Sequence, residues 1–229
     1  MKRLSLILIS VLFLNIACEK HFYQNPNFSS AIQGHKRIAI LPAEITFTGK
    51  LPRVTDEQYN QILIAESKIA QEGLANSLMM NSSEKEPLMV TIQNISETNR
   101  LLQNQNILEI NQKSSAELCQ ILGVDAVVKQ HLKKQRFMSD YTSYGIDVLS
   151  DILSQIPNTI GGIDVNSPIP NATYEIEDEV VISSKTSDDV LWKSNFTQQA
   201  NWSYSPEQIQ RDIYRKIAKN FPYRQIKNK

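Results

Sequence analysis

Glycine, histidine and cysteine are scarce in this chain: seven, three and two among 229 residues. None of the glycines falls into a GxGxxG, GxSxG or GK[ST] arrangement, so the sequence carries neither a phosphate cradle nor a nucleophile elbow. His21, His35 and His131 lie far apart and no HExxH spacing exists, which leaves a zinc centre without a ligand set. Cys119 sits in AELCQILG beside Leu118, Ile121 and Leu122, where a cysteine reads as a small buried apolar residue and not as a reactive thiol. Net charge is absent as well. Twenty-four basic residues meet 24 acidic ones, and that balance offers no electrostatic footprint for nucleic acid or for an anionic membrane face. Only one long apolar run exists, Leu4 to Leu14, and it falls short of the roughly 20 residues a membrane-crossing helix needs. No catalytic, cofactor-binding or metal-ligating residue is assigned.

What is present begins at the amino terminus. Lys2 and Arg3 precede the apolar run, and Asn15-Ile16-Ala17-Cys18 follows it, the layout of a secretory signal. Ala17-Cys18 after such a run resembles the bacterial lipobox, although Asn15 stands where that family usually has Leu. An ordinary cleaved signal with a cysteine nearby is the alternative. The lipobox resemblance implies that residues 1–17 are removed and that Cys18 is lipidated on sulfur as the mature first residue. At about 0.8 kcal/mol per buried CH₂, two or three acyl chains hold a soluble domain firmly on a membrane. Glu19, rather than Asp, after the cysteine resembles the outer-membrane-destined class, which faces the periplasm. With Lys2 and Arg3 gone, 22 basic residues face 24 acidic ones, and Cys119 is the only thiol left, so no internal disulfide forms.

Residues 18–36 have no sustained period and hold Pro26, Gly34 and several Asn and Ser, which reads as a tether. Ile38, Ala39, Ile40 and Leu41 are continuously apolar, as in a strand covered on both faces, and Pro42 ends it. Thr55 and Gln58 have capping-box spacing and predict a helix to about Met80, with Ile62, Ile69 and Gly73 on its inner stripe. PLMVTI over 87–92 reads as a second strand, and 96–110 as weakly helical. Ser114 and Glu117 form another capping-box pattern for a short helix stopped by Gly123, after which VDAVVKQHL is a third strand. The stretch 145–156 is amphipathic at helical spacing, and 157–171, with three prolines and two glycines, reads as a loop. That helix carries acidic residues and no Lys or Arg, so packing on its own sheet is favoured over a subunit contact, and lipid comes last. Ser205-Pro206 opens a last helix with Ile209, Ile213 and Ile217 on one side.

Between the loop and that helix lie ATYEIEDEVVIS and DVLWKSNFTQQA, two period-two segments that read as a hairpin. Pairing Ile182 with Val190 also aligns Val180 with Trp192 and Ile176 with Phe196. Glu175, Glu177 and Glu179 then share the opposite face. They have the chemistry to hold Ca²⁺ or to act as an acid/base pair, or they are a solvated outer face. Lys193 across from Glu179 favours the solvated face.

Helices alternating with strands predict an α/β domain, with a mixed sheet of about five strands packed by helices. KRIAILPA at 36–43, LCQILGVDAVVKQHL at 118–132 and VLWKSNF in the hairpin resemble envelope lipoproteins of the curli-secretion (CsgG-type) and TolB amino-terminal kind. The resemblance implies an α/β domain over 37–222, a tail over 223–229, a lipid anchor, and a second copy or another envelope protein as partner. It implies no catalytic residues. The expected role is therefore a non-enzymatic, membrane-anchored accessory of envelope assembly or secretion, outer-membrane-bound and facing the periplasm. The alternative is a component of an oligomeric outer-membrane pore.

Overall fold

A computed structural model describes residues 21–49, 54–82, 86–103, 105, 107–136, 174–186, 189–200 and 206–224. The signal segment, Cys18, the amphipathic stretch 145–156, the loop 157–171 and Ser205 lie outside the described residues.

Among the described residues, seven strands form one mixed sheet, two more than the sequence reading anticipated. They are β1 (Phe22–Gln24), β2 (Arg37–Ile40), β3 (Glu44–Gly49), β4 (Thr91–Ile92), β5 (Ala126–Arg136), β6 (Tyr174–Ser184) and β7 (Val190–Ala200). The order across the sheet is β1-β7-β6-β5-β2-β4, with β3 also paired to β5. Pro42, which has no N–H to give a ladder, divides one edge into β2 and β3. Both run parallel to the eleven-residue β5, which passes straight alongside them.

Among the described residues, six helices cover the faces: α1 (Phe28–Ala31), α2 (Asp56–Met80), α3 (Ile95–Leu101), α4 (Ile107–Gln112), α5 (Ser115–Leu122) and α6 (Pro206–Lys219). The Thr55–Gln58 capping box closes in both directions, and Asp56 and Glu57 add favourable charge to the first turn of α2. Ser114 accepts from the Glu117 N–H, and Gly123 ends α5 at φ 67, a left-handed cap that glycine adopts without strain. The continuous apolar reading of β2 holds. Ile38 and Ile40 join a core beneath α2 and α6, while Ala39 and Leu41 join a second beneath α5 with Leu118 and Leu122.

Several expectations need correction. Ile69 is 42% exposed, and the inner stripe of α2 instead runs Ile62, Glu66, Ala70, Leu74, Leu78 at steps of four. The 87–92 strand shrinks to Thr91–Ile92, because the Met89 N–H turns to the Tyr223 carbonyl. The tether does not reach residue 36. Phe22–Gln24 pairs antiparallel with β7, and Phe28 is buried against Tyr223. Nor is Tyr223 part of a tail, since it is 1% exposed within the main core. A stretch without periodicity can still dock through single aromatic anchors, each of which contributes a large buried area.

The hairpin forms with its register moved by two residues. Ile182 faces Trp192, Val180 faces Ser194 and Ile176 faces Gln198. A bulge between Ile182 and Ser183 leaves Leu191 as an extra residue and moves the register by one residue beyond it. A shift of two preserves which side chains share a face, so Trp192 still enters the core at 2% exposure.

Candidate functional site

The acidic face of β6 is the cluster that the sequence singles out. Glu179 pairs with Lys193 at 2.6 Å and Glu177 with Lys133 at 3.4 Å, while Glu175 accepts from Gln199 Nε2 at 3.0 Å. The Lys193 contact is diagonal, since the observed register sets Lys193 opposite Val181. Each glutamate is thus turned to its own partner on a neighbouring strand, and the three do not converge. Among the described residues no group of three or more His, Cys, Asp or Glu is arranged to hold a metal ion. His131 meets Thr46 at 3.1 Å, and His21 stacks on Phe196; they share no site.

A denser polar arrangement lies on the opposite face, under α2 and α6, and the sequence reading missed it. Asp178 falls in the inward phase of β6, fully buried between Ile176 and Val180. Gln130 of β5 directs Nε2 at both Asp178 carboxylate oxygens, each at 3.0 Å, and at the Tyr214 hydroxyl at 3.2 Å. Gln210 of α6 donates to the same hydroxyl. Close by, Lys134 and Glu66 form a buried ion pair at 2.6 Å. Burial pushes the Asp178 carboxyl up to about 7, against the opposing pull of the Gln130 hydrogen bond and the Lys134 charge. Burial likewise raises the Tyr214 phenol, helped by the charge of Asp178. The signal was legible in retrospect: Asp178, Gln130, Lys134 and Glu66 each interrupt an otherwise apolar phase of their own element.

A third group occupies the end of the sheet where β2 and β5 begin. His35 Nδ1 lies 2.7 Å from the Tyr223 hydroxyl and Nε2 lies 3.3 Å from Ser184 Oγ. The Ser184 hydroxyl is buried within the sheet, while His35 and Tyr223 also line a shallow cavity. Burial lowers the His35 pKa, with Asp125 raising and Lys185 lowering it further. Asp125 accepts from the Lys36 and Arg37 N–H groups and pairs with Lys185. Burial alone would raise its carboxyl, but those partners bring it to about 2. Elsewhere, a shallow groove of about 640 Å³ runs between α2 and the α3–α4 segment, lined by apolar side chains such as Leu63, Ile64 and Ile107.

No family profile matches the chain, and no curated protein does. The chain is similar in part to some solved structures. Lipoprotein GNA1162 from Neisseria meningitidis is 9% identical with a TM-score of 0.45, covering 80% of this chain and 94% of that one. A PelC dodecamer from Paraburkholderia phytofirmans is 9% identical with a TM-score of 0.41, covering 86% and 91%. The LpoB C-terminal domain from Salmonella enterica is 11% identical with a TM-score of 0.38, covering 76% and 94%.

Proposed function

We propose that the chain is a membrane-anchored bacterial lipoprotein that acts without catalysis, as an accessory of envelope assembly or secretion at the outer membrane. The observation that carries this reading is the junction between sequence and fold. The lipobox-like Ala17-Cys18 lies only three residues before His21, whose carbonyl already accepts from Asn195 of β7. At 3.3–3.6 Å per extended residue, the three residues from Cys18 to His21 can reach no further than about 11 Å. An acyl anchor on Cys18 therefore holds the domain against the bilayer and not at the end of a long leash.

That attachment also orients the domain. Followed back from Phe22, the chain heads along β7 toward Ala200, because β1 and β7 are antiparallel. The Ala200 end of the sheet then lies toward the membrane, and the end bearing Arg37, Asp125 and Lys185 points away from it. The organisation of the polar groups supports a role without catalysis: the outer glutamates are engaged one by one, and the inner cluster is closed off from solvent.

The test is metabolic labelling with a palmitate analogue, followed by fractionation of inner and outer membranes. Wild type is expected to carry the label in the outer-membrane fraction, and Cys18→Ala to lose both the label and the membrane association. A Cys18→Ala protein that is still acylated and fractionates normally would overturn the reading.

A further inference from the structure

The charges around Asp178 do not balance. Gln130 and Lys134 on β5 act on it directly, Leu132 on β5 and Phe196 on β7 stand directly across, and Tyr214 on α6 and Glu66 on α2 complete the cluster through Gln130 and Lys134. Glu66, Lys134 and Asp178 are all buried, so one ammonium serves two carboxylates, and Lys134 is engaged by Glu66. Asp178 is left with no cation of its own, a strongly disfavoured state for an ionised carboxylate in a low-dielectric interior.

Gln130 supplies an independent observation. Its Nε2, with two hydrogens, faces three acceptor atoms, while its Oε1 is buried and finds no hydrogen-bond partner. Turning the amide over would bring Oε1 to face Asp178 and Tyr214 instead, since amide orientation is assigned from the surrounding network. Oε1 then accepts from a protonated Asp178 and from the Tyr214 hydroxyl, which keeps the Gln210 N–H on its lone pair. One orientation of Gln130 suits the carboxylate and the other suits the carboxylic acid.

Tyr214 ties this chemistry to packing. A Cβ on Gly73 of α2 would lie 2.6 Å from Tyr214 Cε2, so the ring is pressed against bare backbone on one side and hydrogen-bonded to the sheet on the other.

We propose that Asp178, Gln130, Tyr214 and Gln210 form a proton-gated latch that fastens α6 and α2 to the sheet. Protonated Asp178 donates into Gln130 and closes the chain. Loss of that proton to solvent leaves an unbalanced negative charge beneath α6 and loosens it. The folded-state carboxyl lies near 7, above its ordinary 3.8, so the folded protein holds a proton that the unfolded chain has released. Its stabilisation is present at low pH and is lost as pH rises through about 7. Across this window the folding constant falls about tenfold per pH unit.

Urea titration of the mature chain, with and without Asp178→Asn, tests the latch, because Asn mimics the protonated acid. His35 contributes with the opposite sign but cancels between the two proteins. The ratio of folding constants, variant over wild type, is expected to rise about tenfold per unit from pH 5 to 7. Amides of Tyr214 to Ala218, corrected for intrinsic exchange, should open faster at pH 8 than at pH 5.5 in wild type only. A ratio that does not change with pH would overturn the proposal. If the variant fails to fold, the Asp178 carboxyl ¹³C shift in wild type decides: a midpoint near 7 supports the latch, and one near 4 overturns it.

Discussion

Strand β6 presents carboxylates on both of its faces, and the two faces treat them in opposite ways. Glu175, Glu177 and Glu179 look outward, half-buried, each with a partner on an adjacent strand. Asp178 looks inward, is completely buried and depends on side chains from β5 and α6. An open face accepts charge wherever the period puts it, because water completes whatever the neighbours leave undone. A covered face accepts a carboxylate only with several elements arranged around it, so the loss of one member is felt throughout the cluster.

Two lysine substitutions compare the faces directly. Lys134→Met leaves Glu66 buried and unpaired, at an expected cost of about 3–5 kcal/mol in urea unfolding. Lys193→Met removes the partner of Glu179 on the outer face, where both groups are about one-third exposed, and should cost no more than about 1 kcal/mol. Equal losses would erase the distinction between the faces.

The inner face is also tightly packed. Gly73→Ala gives α2 a better helix former, by about 1 kcal/mol in an exposed helix. Here the added methyl meets the Tyr214 ring, and overpacking should dominate, with a net loss of about 1–3 kcal/mol. A midpoint that stays put or rises would mean that Tyr214 swings aside, which removes the pivot of the latch.

A second aspartate sharpens the contrast through pH. The Asp125 carboxyl is held at about 2, below its ordinary 3.8, despite burial that acts the other way. Its sign is the reverse of that of Asp178: the stabilisation is present above about pH 4 and is lost as pH falls toward 2. Asp125→Asn should therefore lower the urea midpoint at pH 6, with the gap to wild type closing as pH falls from 4 to 2. A gap that persists unchanged at pH 2 would show that the carboxylate's charge is not what holds the Lys36 and Arg37 N–H groups.

The legible parts of this fold are those written in short-range chemistry. The capping box at Thr55, the glycine stop at Gly123, the doubly covered strand at Ile38 to Leu41 and the core position of Trp192 all follow from local pattern. The parts that eluded pattern depend on partners distant in sequence. Phe22 and Phe28 dock onto β7 and Tyr223 from a segment with no period, and the hairpin pairs two residues away from the anticipated register, with Leu191 bulged out beside the turn. The inner polar cluster lay between these cases. Each member was visible as a polar residue in an apolar phase, but only the fold brings Glu66, Gln130, Lys134, Asp178 and Tyr214 under the same two helices.

The smallest expected effect is the calcium response of the outer glutamates, and it decides whether that face is a cation site. Successive outward residues on a strand stand about 6.6–6.8 Å apart, whereas Ca²⁺ draws six to eight oxygens to within about 2.3–2.6 Å of one centre. With Glu177 turned to Lys133 and Glu179 to Lys193, convergence would require both ion pairs to break. Combining Glu175→Gln, Glu177→Gln and Glu179→Gln should therefore cost at most about 1 kcal/mol per residue, the range of exposed ion pairs. Millimolar Ca²⁺ should leave the melting temperature of wild type and variant alike unchanged, because a ligand that binds only the folded state raises stability in proportion to RT ln(1 + [L]/Kd). A calcium-dependent rise in wild type that the triple variant lacks would make the outer face a binding site and reverse the assignment of the two faces.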